Sequence, residues 1–381
     1  MDPSLFAVTP PAASPALSLQ DMSRTVEWIA NLQLSNGMIP WFTGGHADPW
    51  NHVEATMALC VAGRVKEVDK AFDWLIATQL ETGAWYNYYS TTGVEDIRVD
   101  TNVCAYVATG VWYRYLQDGD IGFLETVWPM LSKAIDFVLS CQRSDGEILW
   151  SIEPDGSPGG FALLAGSSSI YLSLRSALAC AHALGMEKPE WTLAAGRLAH
   201  ALNSHPELFK PKHSYAMDWY YPVLTGVLDA EEGWKRINSR LHEFVMDGRG
   251  VRCVSDKPWI TAAETAECAI ALASLSMEDA TRLAEMLFHM AQGMRRDDGS
   301  YWTGMVYPEE ITFPFQEVTS YTAAAMVLAF DALWGNGPTL SLFRGYGLPS
   351  GLDLFDAVDA YCERCEVGFE PGDEVLIPSG H

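Results

Sequence analysis

Basic residues are scarce in this chain of 381 residues, in which 24 lysines and arginines stand against 49 aspartates and glutamates for a formal net charge of -25. A field of this sign repels phosphate backbones, so the composition argues against a nucleic-acid partner. Long apolar runs are lacking too, since no stretch approaches the roughly 18 uninterrupted apolar residues of a membrane span. No basic N-terminal region leads into an apolar segment, and a cytoplasmic location is therefore expected.

The eight cysteines do not form the pattern of a disulfide framework. Four of them lie among alanine, leucine and valine on predicted helices: Cys60, Cys104, Cys180 and Cys268. Cys362 and Cys365 form a lone CxxC pair, and no second pair of ligands follows them in the sequence. We therefore expect reduced thiols, no bound metal and no cofactor.

Apolar residues are abundant, at 49% of the chain with 12% aromatic, so a large core is expected. A repetitive helical ring can reach this length without a second core. The sequence predicts one helical domain over residues 20–337, preceded by an extension at 1–19 and followed by an acidic extension at 338–381.

A turn motif of Gln, Gly and Trp recurs along the chain. Its copies are Gln33 to Gly37 with Trp41, Gln79 to Gly83 with Trp85, Gln142 to Gly146 with Trp150, and a degenerate copy, Asp298-Gly299-Ser300-Tyr301-Trp302. Each of the first three follows an amphipathic helix. The glycine suits a left-handed helix end, and the glutamine can satisfy backbone groups exposed there.

Two kinds of helix alternate six times each. Charged amphipathic helices are predicted near 20–33, 64–79, 121–141, 190–203, 231–246 and 278–294. Helices that are apolar around most of their circumference are predicted near 50–62, 100–117, 167–184, 216–228, 260–274 and 318–334. A helix of the second kind is enclosed on all sides, so the pattern predicts an all-α (α/α)6 barrel with the charged helices outside. No long strand pair is expected.

The turn motif resembles that of terpenoid cyclases and protein prenyltransferases, and the double ring is shared with six-hairpin glycosidases. The resemblance covers residues 20 to 334. It implies the fold, whereas the chemistry must come from the site. Of the Asp-x-Asp-Asp acid motif of class II cyclases, only Asp100 is retained in Arg98-Val99-Asp100-Thr101. A prenyltransferase would also need a zinc site and a basic diphosphate pocket, whereas these approaches are mostly acidic.

The N-terminal ends of the inner helices converge on one face of such a ring, here called the mouth. Aromatic rings, carboxylates and amides are dense there, and sugars are bound by stacking and by in-plane hydrogen bonds. The predicted substrate-binding residues are His46, Asp48, Trp50, Asn51, His52, Trp85, Asn102, Asp218, Trp219, Trp259, Glu267, Trp302, Tyr307 and Tyr321.

Hydrolysis of a glycosidic bond needs one protonated and one ionised carboxyl group. The predicted catalytic candidates are Glu54, Asp100, Glu264 and Glu309. Each also has a structural explanation: Asp100 is placed to cap a helix, Glu309 lies in a loop, and the others could hold neighbouring helix ends. His46 and His52 with nearby carboxylates match no firm metal motif.

The preferred hypothesis is a glycoside hydrolase acting on a small-molecule or oligosaccharide substrate through an acid and base pair at the mouth. One alternative is a cyclase or prenyltransferase-like enzyme acting on an isoprenoid, although a wet, acidic lining would quench a carbocation. The other is a module that binds a glycan without cleaving it.

Overall fold

The fold is given by a computed structural model, which describes residues 19–349 and Cys365. The predicted terminal extensions and Cys362 fall wholly or mostly outside these residues. The outer helices are α1 (Leu19–Leu32), α3 (Val65–Thr78), α5 (Ile121–Ser140), α7 (Pro189–Ser204), α9 (Ala230–Ser239), α10 (Leu241–Phe244) and α12 (Glu278–Ala291). The inner helices are α2 (Pro49–Val61), α4 (Thr101–Asp118), α6 (Leu164–Ala183), α8 (Ala216–Leu224), α11 (Ala262–Ser274) and α13 (Ser320–Trp334).

The inner helices form a closed ring. Each packs against the next along the chain, and α13 packs against α2 to complete the circle. Their enclosure follows from their composition, since every residue of α4 from Thr101 to Arg114 is buried. The outer helices bury one face against this ring, and the main core fills the space between the two layers. The predicted all-α double ring of six helical hairpins is confirmed.

The fifth hairpin departs most from the predicted bounds. The outer helix predicted at 231–246 is broken into α9 and α10, and Arg240 between them has non-helical angles (φ -121°, ψ 12°). The chain then enters a short hairpin whose turn contains Gly248 with φ 68°. Inner helix α8 ends at Leu224 because Gly226 turns the chain with a left-handed φ of 69°.

Short antiparallel strands lie in the loops that lead from outer to inner helices. They are β1 (Tyr88–Ser90), β2 (Gly93–Asp96), β3 (Val99–Asp100), β4 (Ser151–Ile152), β5 (Val245–Met246), β6 (Gly250–Val251), β7 (Trp259–Thr261), β8 (Gly304–Val306) and β9 (Ile311–Thr312). β1 pairs with β2, β3 with β4, β5 with β6, and β8 lies between β7 and β9. The mouth is thus bordered by hydrogen-bonded loops.

The Gln-Gly turns join each outer helix to the next one. The Gln79 amide donates to the Gly83 carbonyl at 2.9 Å and to the Met130 carbonyl of α5 at 2.8 Å. Gly83 has φ 94°, and a Cβ built on it would lie 2.2 Å from the Lys133 carbonyl oxygen. Glycine is therefore required twice, by its backbone angle and by the approach of a neighbouring backbone.

The other copies repeat this contact around the outer ring. Gln33 and Gln142 donate in the same way to carbonyls of α3 and α7. The degenerate copy closes the ring: a Cβ on Gly299 would lie 2.7 Å from the Arg24 carbonyl carbon of α1, and the Thr25 hydroxyl donates to the Gly299 carbonyl at 2.8 Å.

The opposite end of the inner ring is covered by the short helix α14 (Thr339–Phe343), which packs against α4, α11 and α13. The hydroxyls of Tyr113 and Thr339 are 2.7 Å apart, and Asp331 accepts from the backbone N–H groups of Gly337 and Thr339. Phe343 points into the axial cavity of the ring.

We predict that Gly83→Ala destabilises the fold by at least about 2 kcal/mol, since it combines a strained backbone angle with overpacking. Gly119→Ala is the matched control, because Gly119 also has a positive φ (70°) but has open space around its Cβ position. It should lose only about 1 kcal/mol. Urea unfolding of both variants measures the difference, and equal losses would contradict the role of the close contact.

Candidate active site

Asp48 caps the first inner helix, and three donors hold its carboxylate. The Asn51 backbone N–H donates to Oδ1 at 3.0 Å, while the Trp41 indole and the Asn51 amide each donate to Oδ2 at 2.7 Å. Burial raises the pKa of Asp48, and these hydrogen bonds together with His46 act in the opposite direction. Asp48 is thus a fixed, buried acid group beneath the mouth.

An aromatic cluster surrounds Trp41. Its ring meets those of His46, Tyr321 and Tyr88 edge-on, with centroids 4.5, 5.1 and 5.9 Å away. His46 Nδ1 is also 3.5 Å from a carboxylate oxygen of Glu95. The cluster brings together the loops before α2 and α4 with the first turn of α13, and it forms an apolar wall beside Asp48.

Glu54 lies one turn further into α2 and is 6% exposed. The Trp50 indole and the Tyr106 hydroxyl donate to its Oε1 at 2.9 and 3.4 Å. Both of these bonds end on the same oxygen, and the side chain lines the axial cavity of the ring. Burial raises the pKa of Glu54 to about 7, with further contributions from the charges of Asp48 and Glu264. Near neutral pH this carboxyl group carries a proton for part of the time.

A narrow cavity of about 10 Å³, space for about one water molecule, lies on the ring axis below these groups. Glu54 and Glu267 line it together with Tyr106 and Tyr221. Its remaining lining is mainly apolar and includes Leu172, Leu224, Ile270, Leu328 and Phe343. Polar chemistry is therefore confined to the end of the cavity nearer the mouth.

Glu264 and Glu267 occupy successive turns of α11, as their spacing predicts. Glu267 accepts hydrogen bonds from the hydroxyls of Tyr220 and Tyr221, and burial raises its pKa well above the usual range. Glu264 is half-buried in the first turn of the helix, where the N-terminal dipole favours a negative charge. It hydrogen-bonds with Cys253, and burial raises the pKa of that thiol.

Asp100 caps α4 by accepting from the backbone N–H groups of Asn102 and Val103 at 2.8 and 3.1 Å. Burial raises its pKa to about 6, against the effect of these bonds and of one from Trp150. It lines a second cavity of about 210 Å³, whose other lining residues are Asn87, Tyr88, Arg98, Val99, Trp150, Ser151 and Glu153. Asp100 can therefore cap its helix and still face a cavity.

Asp218 and Asn102 lie in the wall beside the mouth. Asp218 is 5% exposed and accepts from the backbone N–H of Ala165 at the start of α6, so it caps a helix other than its own. Burial raises its pKa, and Arg236 nearby has the opposite effect. Asn102 is 3% exposed, and its Oδ1 is buried without a hydrogen-bond partner among the described residues.

His52 does not face the cavity. Its Nδ1 accepts from the Ile39 backbone N–H at 3.1 Å, and its Nε2 donates to the Ala71 carbonyl at 3.0 Å. Burial lowers its pKa to about 4, so the ring is neutral. Because both nitrogens are used within the wall, the predicted contact of His52 with a substrate has no geometric support, and the ring has no nitrogen left for a metal.

Trp85 and Trp219, like His52, are buried and contact only other parts of the fold. Trp85 is fully buried and donates to the Leu75 carbonyl at 2.9 Å, which ties the turn to its own helix. Trp219 is 1% exposed and stacks on Phe244 with an interplanar angle of 13°. Neither indole can stack on a sugar from these positions.

The sheet of β7, β8 and β9 carries candidates at the edge of the mouth. Trp259 is half-buried and donates to the Phe313 carbonyl at 3.0 Å. Glu309 is exposed in the turn between β8 and β9, and no contact with the other candidate carboxylates is seen among the described residues. It therefore lacks the enclosed setting that an acid or base needs.

Tyr307 and Trp302 are each covered by an arginine. The Arg249 guanidinium lies 4.5 Å from the centre of the Tyr307 ring, and that of Arg296 lies 4.6 Å from the centre of Trp302. One face of each ring is therefore already occupied, which weakens the case for either as a stacking platform.

Tyr106 is a site residue that the sequence analysis missed. It lies on an inner helix between buried apolar residues and donates to Glu54. A phenol hydroxyl in an apolar helix needs a buried partner, and this was the available signal. The sequence could not show that the partner lies on α2.

Comparison with known proteins places this site in context. The chain is 46% identical over 355 residues to the protein named MMP endo-(1,4)-3-O-methyl-alpha-D-mannosidase from Mycolicibacterium hassiacum, which covers 93% of this chain and 98% of that protein. No protein-family model matches.

Solved structures share the fold at low sequence identity. A wild-type glycosidase superposes with a TM-score of 0.66 at 12% identity, covering 84% of this chain and 99% of that chain. A D-mannose isomerase gives 0.62 at 13% identity over 84% and 99%. A sugar epimerase from a ruminal bacterium gives 0.63 at 11% identity over 81% and 97%. In the described part of the chain, no helix has the length and apolarity to span a bilayer.

Glu54 yields a prediction for the pH dependence of stability. Its pKa is about 7 in the fold, against 4.5 for a glutamate in water. The folded state therefore holds the proton more tightly, and stability falls as pH rises from about 4.5 through 7. Glu54→Gln should remove up to about 3 kcal/mol of this fall.

Urea unfolding at pH 5 and pH 8 measures the effect. Glu309→Gln is the control, because its side chain is exposed and its replacement should leave the pH dependence unchanged. An unchanged slope in Glu54→Gln would contradict the proposed protonation.

Proposed function

Because this chain belongs to the same glycoside hydrolase family as the M. hassiacum endo-(1,4)-3-O-methyl-alpha-D-mannosidase, we propose that it cleaves internal (1,4) bonds of 3-O-methyl-α-mannose chains. The observation that carries this proposal is 46% identity over 93% of the chain. A carbohydrate-active hydrolase is also what the polar lining predicts. The isoprenoid alternative and a purely binding role lose their support.

Glu54 is the proposed general acid. It has the buried setting and raised pKa that keep a carboxyl group protonated near neutral pH, and its side chain lines the axial cavity. Trp50 and Tyr106 hold Oε1, so the orientation of the carboxyl group is fixed. In the reaction this proton passes to the glycosidic oxygen as the bond to the anomeric carbon breaks.

Glu264 is the proposed general base. It sits at the N-terminal turn of α11, is half-buried rather than enclosed, and interacts electrostatically with Glu54. Its carboxylate takes a proton from the water that attacks the anomeric carbon. Asp48 adds negative charge near the acid, and Glu267 accepts hydrogen bonds from two tyrosines deeper in the ring.

The aromatic cluster around Trp41 supports a methylated sugar as substrate. Tyr88 and Tyr321 complete an apolar wall beside Asp48. A methoxy group cannot donate a hydrogen bond and is better placed against apolar surface than a hydroxyl. Methylation at position 3 therefore fits a mouth with aromatic edges next to its carboxylates.

The proposed function is accompanied by two expectations, one about the cellular setting and one about nucleic acid. The described cysteines form no disulfide with one another, which supports a reducing, cytoplasmic setting. The net charge of -25 disfavours nucleic acid. The catalytic unit is proposed to be residues 20–337, a ring of the six-hairpin glycosidase type.

We predict that Glu54→Gln and Glu264→Gln each lower kcat/KM about 10²–10⁴-fold on a 3-O-methylmannose oligosaccharide, the usual effect of removing a general acid or base. Release of shorter oligosaccharides, followed by mass spectrometry, measures it and also reports internal cleavage. Glu309→Gln is the control and should retain near wild-type activity, because Glu309 is exposed away from the cavity.

A second substrate separates the two roles. An aryl mannoside with a good leaving group needs no protonation, so Glu54→Gln should recover most of its activity on it while Glu264→Gln should not. Asp48→Asn and Asp100→Asn are measured in parallel. Recovery in either of these variants, and not in Glu54→Gln, would transfer the acid role to that aspartate.

A further inference from the structure

Two histidines and a cysteine meet on the outer wall, away from the residues assigned to catalysis. His200 lies in the last turns of α7, and His205 is the residue that ends this helix. Their Nε2 atoms are 3.2 and 3.3 Å from the sulfur of Cys365. All three ligand atoms lie within 4.8 Å of one another, and both histidines are buried, with exposures of 2% and 6%.

The spacing of these atoms matches a tetrahedral zinc ion. Zinc lies about 2.3 Å from a thiolate sulfur and about 2.0–2.1 Å from an imidazole nitrogen, which puts neighbouring ligand atoms roughly 3.3–3.6 Å apart. The observed 3.2 and 3.3 Å are close to these values. The pair His200 and His205 also has the sequence spacing found in structural zinc sites, with four residues between the ligands.

The second ring nitrogen of one imidazole has the kind of partner that is found in zinc proteins. His205 Nδ1 is 3.1 Å from a carboxylate oxygen of Glu207, which leaves Nε2 to face Cys365. A carboxylate on the second ring nitrogen fixes the tautomer and orientation of a ligating histidine. The turn Pro206–Leu208 after α7 holds Glu207 in this position.

A hydrogen-bonded thiol explains the cluster less well. A neutral thiol can donate to one of the two Nε2 atoms and accept from the other, but its S–H is a weak donor and its sulfur a weak acceptor. A bound divalent cation satisfies both nitrogens and the sulfur at once. Thiolate with imidazole is also a donor set that suits zinc and does not suit calcium or magnesium.

We propose that His200, His205 and Cys365 bind a structural zinc ion that joins Cys365 to the end of outer helix α7. The sequence expectation of no metal rested on the absence of ligands after the CxxC pair. The histidines instead precede Cys365 by 165 and 160 residues. This proposal is independent of the catalytic assignment.

Elemental analysis of the full chain, with any affinity tag removed, tests the site directly. The wild type should hold about one equivalent of zinc after dialysis against Zn²⁺ and desalting. His200→Ala, His205→Ala and Cys365→Ser should each lose most of it. His182→Ala is the matched control, because His182 is an exposed histidine on α6 and its loss should leave the zinc content unchanged.

Two further measurements separate ligand loss from misfolding. Cys365→His keeps a zinc ligand and should retain the ion, whereas its cobalt form should lack the thiolate-to-metal charge-transfer band of cobalt-substituted wild type. A chelator should lower the Tm of the wild type, added zinc should restore it, and the Tm of Cys365→Ser should not respond.

Wild-type protein that holds no zinc after dialysis would overturn the proposal. Variants of His200, His205 and Cys365 with as much zinc as the wild type would overturn it equally.

Discussion

The contact between each Gln-Gly turn and the backbone of the next outer helix is the constraint on which the ring depends. At Gly37, Gly83 and Gly146 the neighbouring carbonyl oxygen comes so close that a Cβ would lie 1.9–2.3 Å from it. The glutamine of the same turn donates to a further carbonyl of that helix. Adjacent hairpins are thus joined by atoms that every residue possesses, so the spacing is insensitive to side-chain variation on the outer surface.

A fixed spacing of hairpins is what allows acidic side chains from different helices to be held close together. Glu54, Glu264 and Glu267 come from α2 and α11, and each would be more stable as an anion in water. The ring keeps them in place through indole and phenol donors and through packing that excludes water. The raised pKa values of Glu54 and Glu267 are the electrostatic result of that confinement, and a carboxyl group that is protonated near neutral pH is what acid catalysis needs.

Local patterns in the sequence were sufficient to predict the ring of helices, but not which side chains face the site. The turn motif and the two helix types predicted the helices to within a few residues, except where Arg240 interrupts the fifth outer helix. The position of a residue near the start of an inner helix did not reveal which way its side chain points. His52 and Trp85 sit at the correct depth but face the wall, and Tyr106 faces Glu54 from another helix. The partners of Cys365 are likewise 160 or more residues distant.

Helix α14 gives the inner ring a floor, since Phe343 closes the axial cavity from the end opposite the carboxylates. The ring is consequently a cup and not a tunnel. A polymer cannot be threaded through it, so under the proposed function a long glycan would lie across the rim near Glu54, with both of its ends outside the ring.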